Sequence, residues 1–303
     1  MLGAATNAAL GTSTSLTVGN GSTFRAYGTF TQTRGMTMQG AAGGTVEVTA
    51  GNTLTHNGTV SGTVFTKTGA GTLILGNTGS WTGNTNINQG ILQVGLASQL
   101  GSAAGTHNLN GGTLRLTAAF NLSRSLAVGA SGGTLDLQHL GTTNLTSLTG
   151  TGTLTKTGTG TLNLTSLAGN PLSGGINITG GAVQTNTTLS GNSLGSGPVS
   201  ISNDAILRLH DGWNANNFIT LAAGGGRIDV PAGVATATGE ISGTTLTKTG
   251  AGRLHMYSSA HPLQTLELAA GEVYFGSLAN IVQINTAPGT NLGRAPVGVP
   301  IGT

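Results

Sequence analysis

Short segments that read apolar, polar, apolar recur along the chain, usually after Gly-Thr or a close variant. They begin at Leu114, Leu135, Leu162, Val183, Leu207, Ile228, Leu254 and Val273. In an extended chain this alternation sends the first and third residues to one face and the middle residue to the other. Leu114, Leu116, Leu135, Leu137, Leu162 and Leu164 are therefore predicted to point inward. Successive segments lie roughly 20–27 residues apart, wider than the roughly 8–12 residues of ordinary hairpins. That spacing suits one coil of a β-solenoid, whose strands stack on equivalent strands one coil away. Glycine-rich stretches such as Gly158-Thr159-Gly160 supply the positive φ that sharp corners need. No stretch holds the i, i+3, i+4, i+7 pattern of an amphipathic helix.

A longer beat of roughly 90 residues overlies the short one. The hexapeptide Thr66-Lys67-Thr68-Gly69-Ala70-Gly71 returns at Thr155 to Gly160, with Thr159 for Ala70, and at Thr247 to Gly252. Leu10-Gly11, Leu100-Gly101 and Leu194-Gly195 open the units, and Arg25, Arg115 and Arg208 follow. Next come Gly44-Thr45-Val46-Glu47-Val48, Gly133-Thr134-Leu135-Asp136-Leu137 and Gly226-Arg227-Ile228-Asp229-Val230. The expectation is an all-β chain: a single right-handed parallel β-solenoid (β-helix) of about 13 coils, its handedness following that of parallel crossovers. Its units run over approximately 10–99, 100–193 and 194–291, with partial units at both ends. Leu2 to Gly11 resembles Val94 to Gly101 from inside the array, and Asn291-Leu292-Gly293 echoes the Leu-Gly opening. Both ends therefore read as uncapped, which predicts neighbouring repeats of a longer chain or head-to-tail stacking of copies into a filament.

The middle residues of successive segments read as one outward column: Arg25, Glu47, Ile74, Gln93, Arg115, Asp136, Asn163, Gln184, Arg208, Asp229, His255 and Tyr274. Three arginine–acid neighbours result, Arg25 with Glu47, Arg115 with Asp136, and Arg208 with Asp229. Each exposed cross-strand pair is worth about 0.2–1 kcal/mol, enough to favour the correct register. Lys67, Lys156 and Lys248 read as further charges of this structural ladder. At four coils apart, about 19 Å, they lie beyond the screening length of about 8 Å and do not repel one another.

Composition narrows the function classes. The chain has 303 residues, 54 of them glycine, with only 6% charged and 4% aromatic. A large aromatic core is thus unavailable, while 37% hydrophobic content in regular alternation argues against disorder. The excess of 3 positive charges makes no basic stripe, so nucleic acid is not an implied partner. There is no cysteine, which removes disulfides and thiolate chemistry. No apolar run is long enough to span a membrane as a helix, and Met1 to Thr6 does not read as a signal peptide.

The densest polar cluster is Asp204, Arg208, His210, Asp211 and Trp213. Asp204, His210, Asp211 and Trp213 form the candidate glycan-binding set: carboxylates and an imidazole beside a tryptophan that would stack on a sugar ring. The opposing reading is a coil corner of solvated loop residues. The six histidines form no His-x-His or HExxH pattern, the calcium-binding nonapeptide is absent, and no phosphate loop follows the glycine runs. Neither a metal nor another cofactor is implied, and no catalytic residues are assigned.

The segment Phe65 to Val94 joins the hexapeptide to Leu73-Ile74-Leu75, Trp81-Thr82-Gly83 and Ile87-Asn88-Gln89-Gly90. It resembles the autotransporter-associated β-strand repeat of bacterial surface and secreted proteins. The second copy, Leu154 to Gln184, keeps Lys156, the glycine turn and Ile176-Asn177-Ile178. The third, Leu246 to Phe275, keeps the Lys248 hexapeptide but lacks the Trp-Thr-Gly element. The resemblance implies a parallel β-solenoid displayed outside the cell as an adhesive or structural passenger segment, a stalk, fibre or adhesin without catalysis. The competing expectation is a carbohydrate-active solenoid, either a polysaccharide lyase or glycosidase or a glycan-binding module, with surface glycans as partners.

Overall fold

The strands are short because each spans one side of a coil. Thr113–Leu116 is typical, with Leu114 and Leu116 buried and Thr113 and Arg115 half-buried on the outer face. The computed structural model describes the chain except residues 103–104, 166–169, 186–192, 277–280, 295–300 and 303. Every described strand pairing is parallel, and partners lie one coil apart in sequence, as Leu114 with Leu135 and Phe24 with Val46. The fold is a β-solenoid of about 13 turns. The only described helical elements are the 3-10 turns Ala8–Leu10 and Ala97–Leu100, so the all-β expectation holds.

The chain divides into two units, Met1–Gly152 and Thr153–Thr303. In the first, one sheet of eight strands runs from Leu2–Ala4 to Leu148–Gly150. A second stacks Phe30–Gln32, Thr53–His56, Thr72–Leu75, Ile91–Val94, Thr113–Leu116 and Gly133–Leu137. A third, smaller sheet holds Ser15–Val18, Gly35–Met38 and Val60–Gly62. In the second unit the nine-residue strand Ile241–Thr249 joins two stacks of strands, pairing through Ile241 to Gly243 with Ile219–Leu221 and through Leu246 to Thr249 with Gly226–Asp229. It turns the corner at Gly243, whose φ of 116° and proximity to the Leu221 carbonyl leave no room for a side chain.

Inside each unit the inward residues form continuous apolar rows. Leu114, Leu116, Leu135, Leu137, Leu162 and Leu164 are all buried, as the alternation predicted. Trp81 fills the interior, stacked on Phe65 at 4.9 Å, and donates its indole N–H to Thr85 Oγ1. On the outer surface, Asn108 donates to Asn86, which donates to Thr66, making a polar ladder across three coils.

The single outward column does not survive. Arg25 pairs with Glu47, but the next residue in register is Thr68, not Ile74. Ile74 lies on the second sheet, where it leads through Gln93 and Arg115 to Asp136. The second unit repeats the break: Gln184, Arg208 and Asp229 continue to Thr249, while His255 and Tyr274 stand on a different sheet. Within the first unit, Arg25 and Arg115 are thus separated by four coils plus one extra side, and the equivalent residue stands on a new face. The sequence carries a trace of this in the longer gaps from Leu135 to Leu162 and from Ile228 to Leu254. The first gap holds the inserted short strand Leu154–Thr157, and a single column ignored the change of face that the inserted strand brings.

The facing makes a direct prediction. Leu114→Ala should cost about 2–5 kcal/mol, whereas Gln93→Ala, its outward neighbour one strand away, should change stability by less than about 0.5 kcal/mol. Urea unfolding of both variants checks it, and equal effects would reverse the assigned faces.

Candidate functional site

The three motif lysines occupy the interior. Lys67, Lys156 and Lys248 are each 0% exposed, and they are the only lysines in the sequence. Lys67 sits in an apolar row between Val46 and Ile87, and Lys248 between Ile228 and Leu268. They are therefore not rungs of the outer charge ladder. Each stem lies among apolar side chains while its ammonium reaches the coil corner.

At that corner three carbonyls converge on each ammonium. Lys67 Nζ donates to Thr68 O at 2.7 Å, Gly69 O at 2.7 Å and Gln89 O at 3.2 Å. Lys156 Nζ donates to Thr157 O, Gly158 O and Gly180 O at 3.0, 3.1 and 2.9 Å. Lys248 Nζ donates to Thr249 O, Gly250 O and Ala270 O at 2.6, 2.9 and 3.3 Å. Two acceptors belong to the lysine's own coil and the third to the next, so each ammonium ties adjacent coils. The hexapeptide is thereby explained: the glycine after Lys-Thr, with φ of 70°, 76° and 75° in the three copies, aims its carbonyl inward. Burial pushes the Lys67 and Lys248 ammonium groups down to about 8, opposed by Glu47 and Asp229 respectively.

The outer ladder keeps its arginine–acid pairs. Arg25 Nε lies 3.1 Å from Glu47, Arg115 Nε 2.7 Å from Asp136 and Arg208 Nε 2.7 Å from Asp229. Asp136 is largely buried and also accepts from Gln138. Two further pairs escaped the sequence reading, Arg227 with Asp204 and Arg253 with Glu272. Both join residues one coil apart. Arg227, Arg253 and Glu272 each lie two residues before the column member of their strand, Asp229, His255 and Tyr274, positions that a column of one residue per segment passed over.

The glycan candidates do not assemble into the expected site. Trp213 is only 3% exposed, so its ring cannot serve as a stacking platform. Asp204 is engaged by Arg227, whose hydrogen bond holds the carboxyl below its usual range. Asp211 accepts the backbone N–H of Val234 and, with His210, Pro231 and Ala232, borders an apolar depression of about 180 Å³. Burial lowers the His210 imidazole, with the Arg208 charge acting in the same sense. An aromatic group lies elsewhere, with Tyr257 exposed and His255 and Tyr274 half-buried. His255, Tyr257 and Tyr274 contact one another at centroid distances of 5.1–6.0 Å beside the Arg253–Glu272 pair. Tyr257 lies across Gly276, where a β-carbon would meet its ring. No group of three His, Asp or Glu side chains able to hold a metal occurs among the described residues.

Lys67→Ala should cost about 3–5 kcal/mol, because it strands buried carbonyls, while Arg25→Ala should cost less than about 1 kcal/mol. Denaturant unfolding of the two variants makes the comparison. The lysines also predict a pH effect. The unfolded chain holds these protons to about 10.5 and the folded chain releases them near 8, so stability should rise from pH 8 to 10.5. Unfolding midpoints at pH 7.5 and 10 test the slope, which Lys67→Met with Lys248→Met should flatten. A falling midpoint in the parent chain would mean that the carbonyls favour the ammonium more than burial opposes it.

Comparison with known proteins places this corner in a family. The model of the passenger-associated-transport-repeat matches residues 65–94 and 154–184, the segments holding Lys67 and Lys156. The third copy lies outside the matched residues, yet Lys248 makes the same three contacts. The adhesin BmaC autotransporter of Brucella suis biovar 1 (strain 1330) is 31% identical over 233 residues, 70% of this chain. The chain spans 7% of that protein's length. No solved structure matches. The lysine-closed coils are thus those of the autotransporter-associated repeat, and the chain is a repeat protein of that family.

Proposed function

We propose that the chain is a noncatalytic segment of an exported passenger, displayed at the cell surface or outside the cell in an adhesive or structural role. The observation that carries this reading is the lysine-carbonyl corner, built three times in segments that match or mirror a passenger repeat. The similar adhesin supports surface display, and its far greater length supports like repeats as the immediate neighbours. A catalytic reading finds less support. Asp204 and Asp211, the two acids of the candidate set, are already engaged by Arg227 and by the Val234 N–H. The parallel pairing offers a stiff scaffold, on which exposed side chains are presented at a fixed spacing of about 4.8 Å per coil.

Glycan binding, as the form the adhesion takes, is favoured by one observation: the aromatic group of His255, Tyr257 and Tyr274 beside Arg253 and Glu272. Flat rings flanked by hydrogen-bonding charges suit the apolar face and hydroxyl rim of a pyranose. The chain displayed on a non-adherent bacterium should confer attachment to host cells or matrix. Tyr257→Ala should reduce glycan-array binding at least tenfold, and Asp211→Asn should leave it unchanged. Release of reducing sugar from polysaccharide, lost in Asp211→Asn, would overturn the noncatalytic reading.

A further inference from the structure

Three positions one repeat apart hold down the Leu-Gly corners. Arg34 donates through Nε to Ser13 O at 2.8 Å, through Nη2 to Gly11 O, and through Nη1 to Asn7 Oδ1. Arg124 stands the same distance after Leu100-Gly101 as Arg34 does after Leu10-Gly11. Its Nη2 donates to Leu100 O and its Nε to His107 Nε2 at 3.1 Å. Asn217 does the same work after Leu194-Gly195, donating to Gly195 O and Gly197 O.

The middle copy is incomplete. Where Asn7 receives Nη1 of Arg34, the equivalent residue is Ala97. Nη1 of Arg124 is buried with no hydrogen-bond partner, and the whole residue is 6% exposed. The missing side chain leaves a cavity of about 70 Å³ lined by Ala97, His107, Asn121, Ser123 and Arg124. No described acid pairs with this arginine. Burial lowers its guanidinium only to about 10, so the charge persists at neutral pH. His107, pushed down to about 3 by burial and by Arg124, is neutral there and cannot share that charge.

We propose that this cavity binds one small monovalent anion, a halide or a carboxylate of formate size, held by Nη1 of Arg124 where the preceding repeat supplies an amide oxygen. A buried cation without a counter-charge is costly, and an anion of this size removes the cost without rearranging the corner. Binding confined to the folded state stabilises it by mass action.

The test follows thermal unfolding of the whole chain with sodium chloride or sodium formate replacing sodium gluconate at constant ionic strength. The midpoint should rise by several degrees and saturate. A response to chloride alone assigns a halide, and a response to formate alone a carboxylate. Ala97→Asn returns the missing oxygen, so it should raise the midpoint in gluconate and abolish the response. Arg124→Gln should lower the midpoint and abolish the response too. Where chloride gives the response, chloride-35 line broadening in the parent chain, lost in Ala97→Asn, gives a readout independent of stability. Equal responses in the parent and Ala97→Asn, or no response in the parent together with no broadening, would overturn the proposal.

Discussion

A parallel solenoid must turn a corner several times per coil, and at each corner some carbonyls point inward where no strand can pair with them. The three lysine ammonium groups solve this at the corners that Gly69, Gly158 and Gly250 turn at positive φ. Each brings three N–H donors to three converging carbonyls, two from its own coil and one from the next. Burying an ammonium costs several kcal/mol, and charge-assisted bonds to carbonyls offset that only when the geometry is complete. The hexapeptide supplies that geometry as a unit, with the lysine inward, the glycine at positive φ and a second glycine where the next strand starts. The apolar rows above and below can then run past the lysine without interruption.

Much of the architecture was legible in the sequence because the solenoid code is local. Alternation in Leu114-Arg115-Leu116 and Leu135-Asp136-Leu137 marks both the facing and the register, and Arg115 and Asp136 meet as the spacing implied. Lys67 misled because a charged residue in a Thr-Lys-Thr segment looks like an outward position. Its inward place shows only in the carbonyls that the following glycine aims at it. One signal was available: the chain has three lysines, and all three fall in the same hexapeptide. Trp213 misled for the converse reason. Its polar neighbours Asp211 and Asn214 are exposed, but the coil turns the indole into the core.

The extra side between Arg25 and Arg115 has its own physical meaning. If a repeat held a whole number of coils, its arginine–acid pairs and lysine corners would all fall on one face. Advancing by one side distributes them, so that Arg25–Glu47 and Arg115–Asp136 stand on different sheets of the same unit. Charged pairs are thus spread over more than one face of the coil. Substitutions at one repeat-equivalent position also meet different surroundings, as Asn7 and Ala97 do.

With every lysine sealed inside, the native chain offers acylating and aldehyde reagents no side-chain amine on its surface. A bacterium displaying such coils would expose guanidinium groups but not lysine amines to carbonyl-bearing metabolites, to amine-directed crosslinking and to lysine-specific peptidases. Labelling at position 67, 156 or 248 then becomes a clock for local opening, each site reporting when its own corner has come apart.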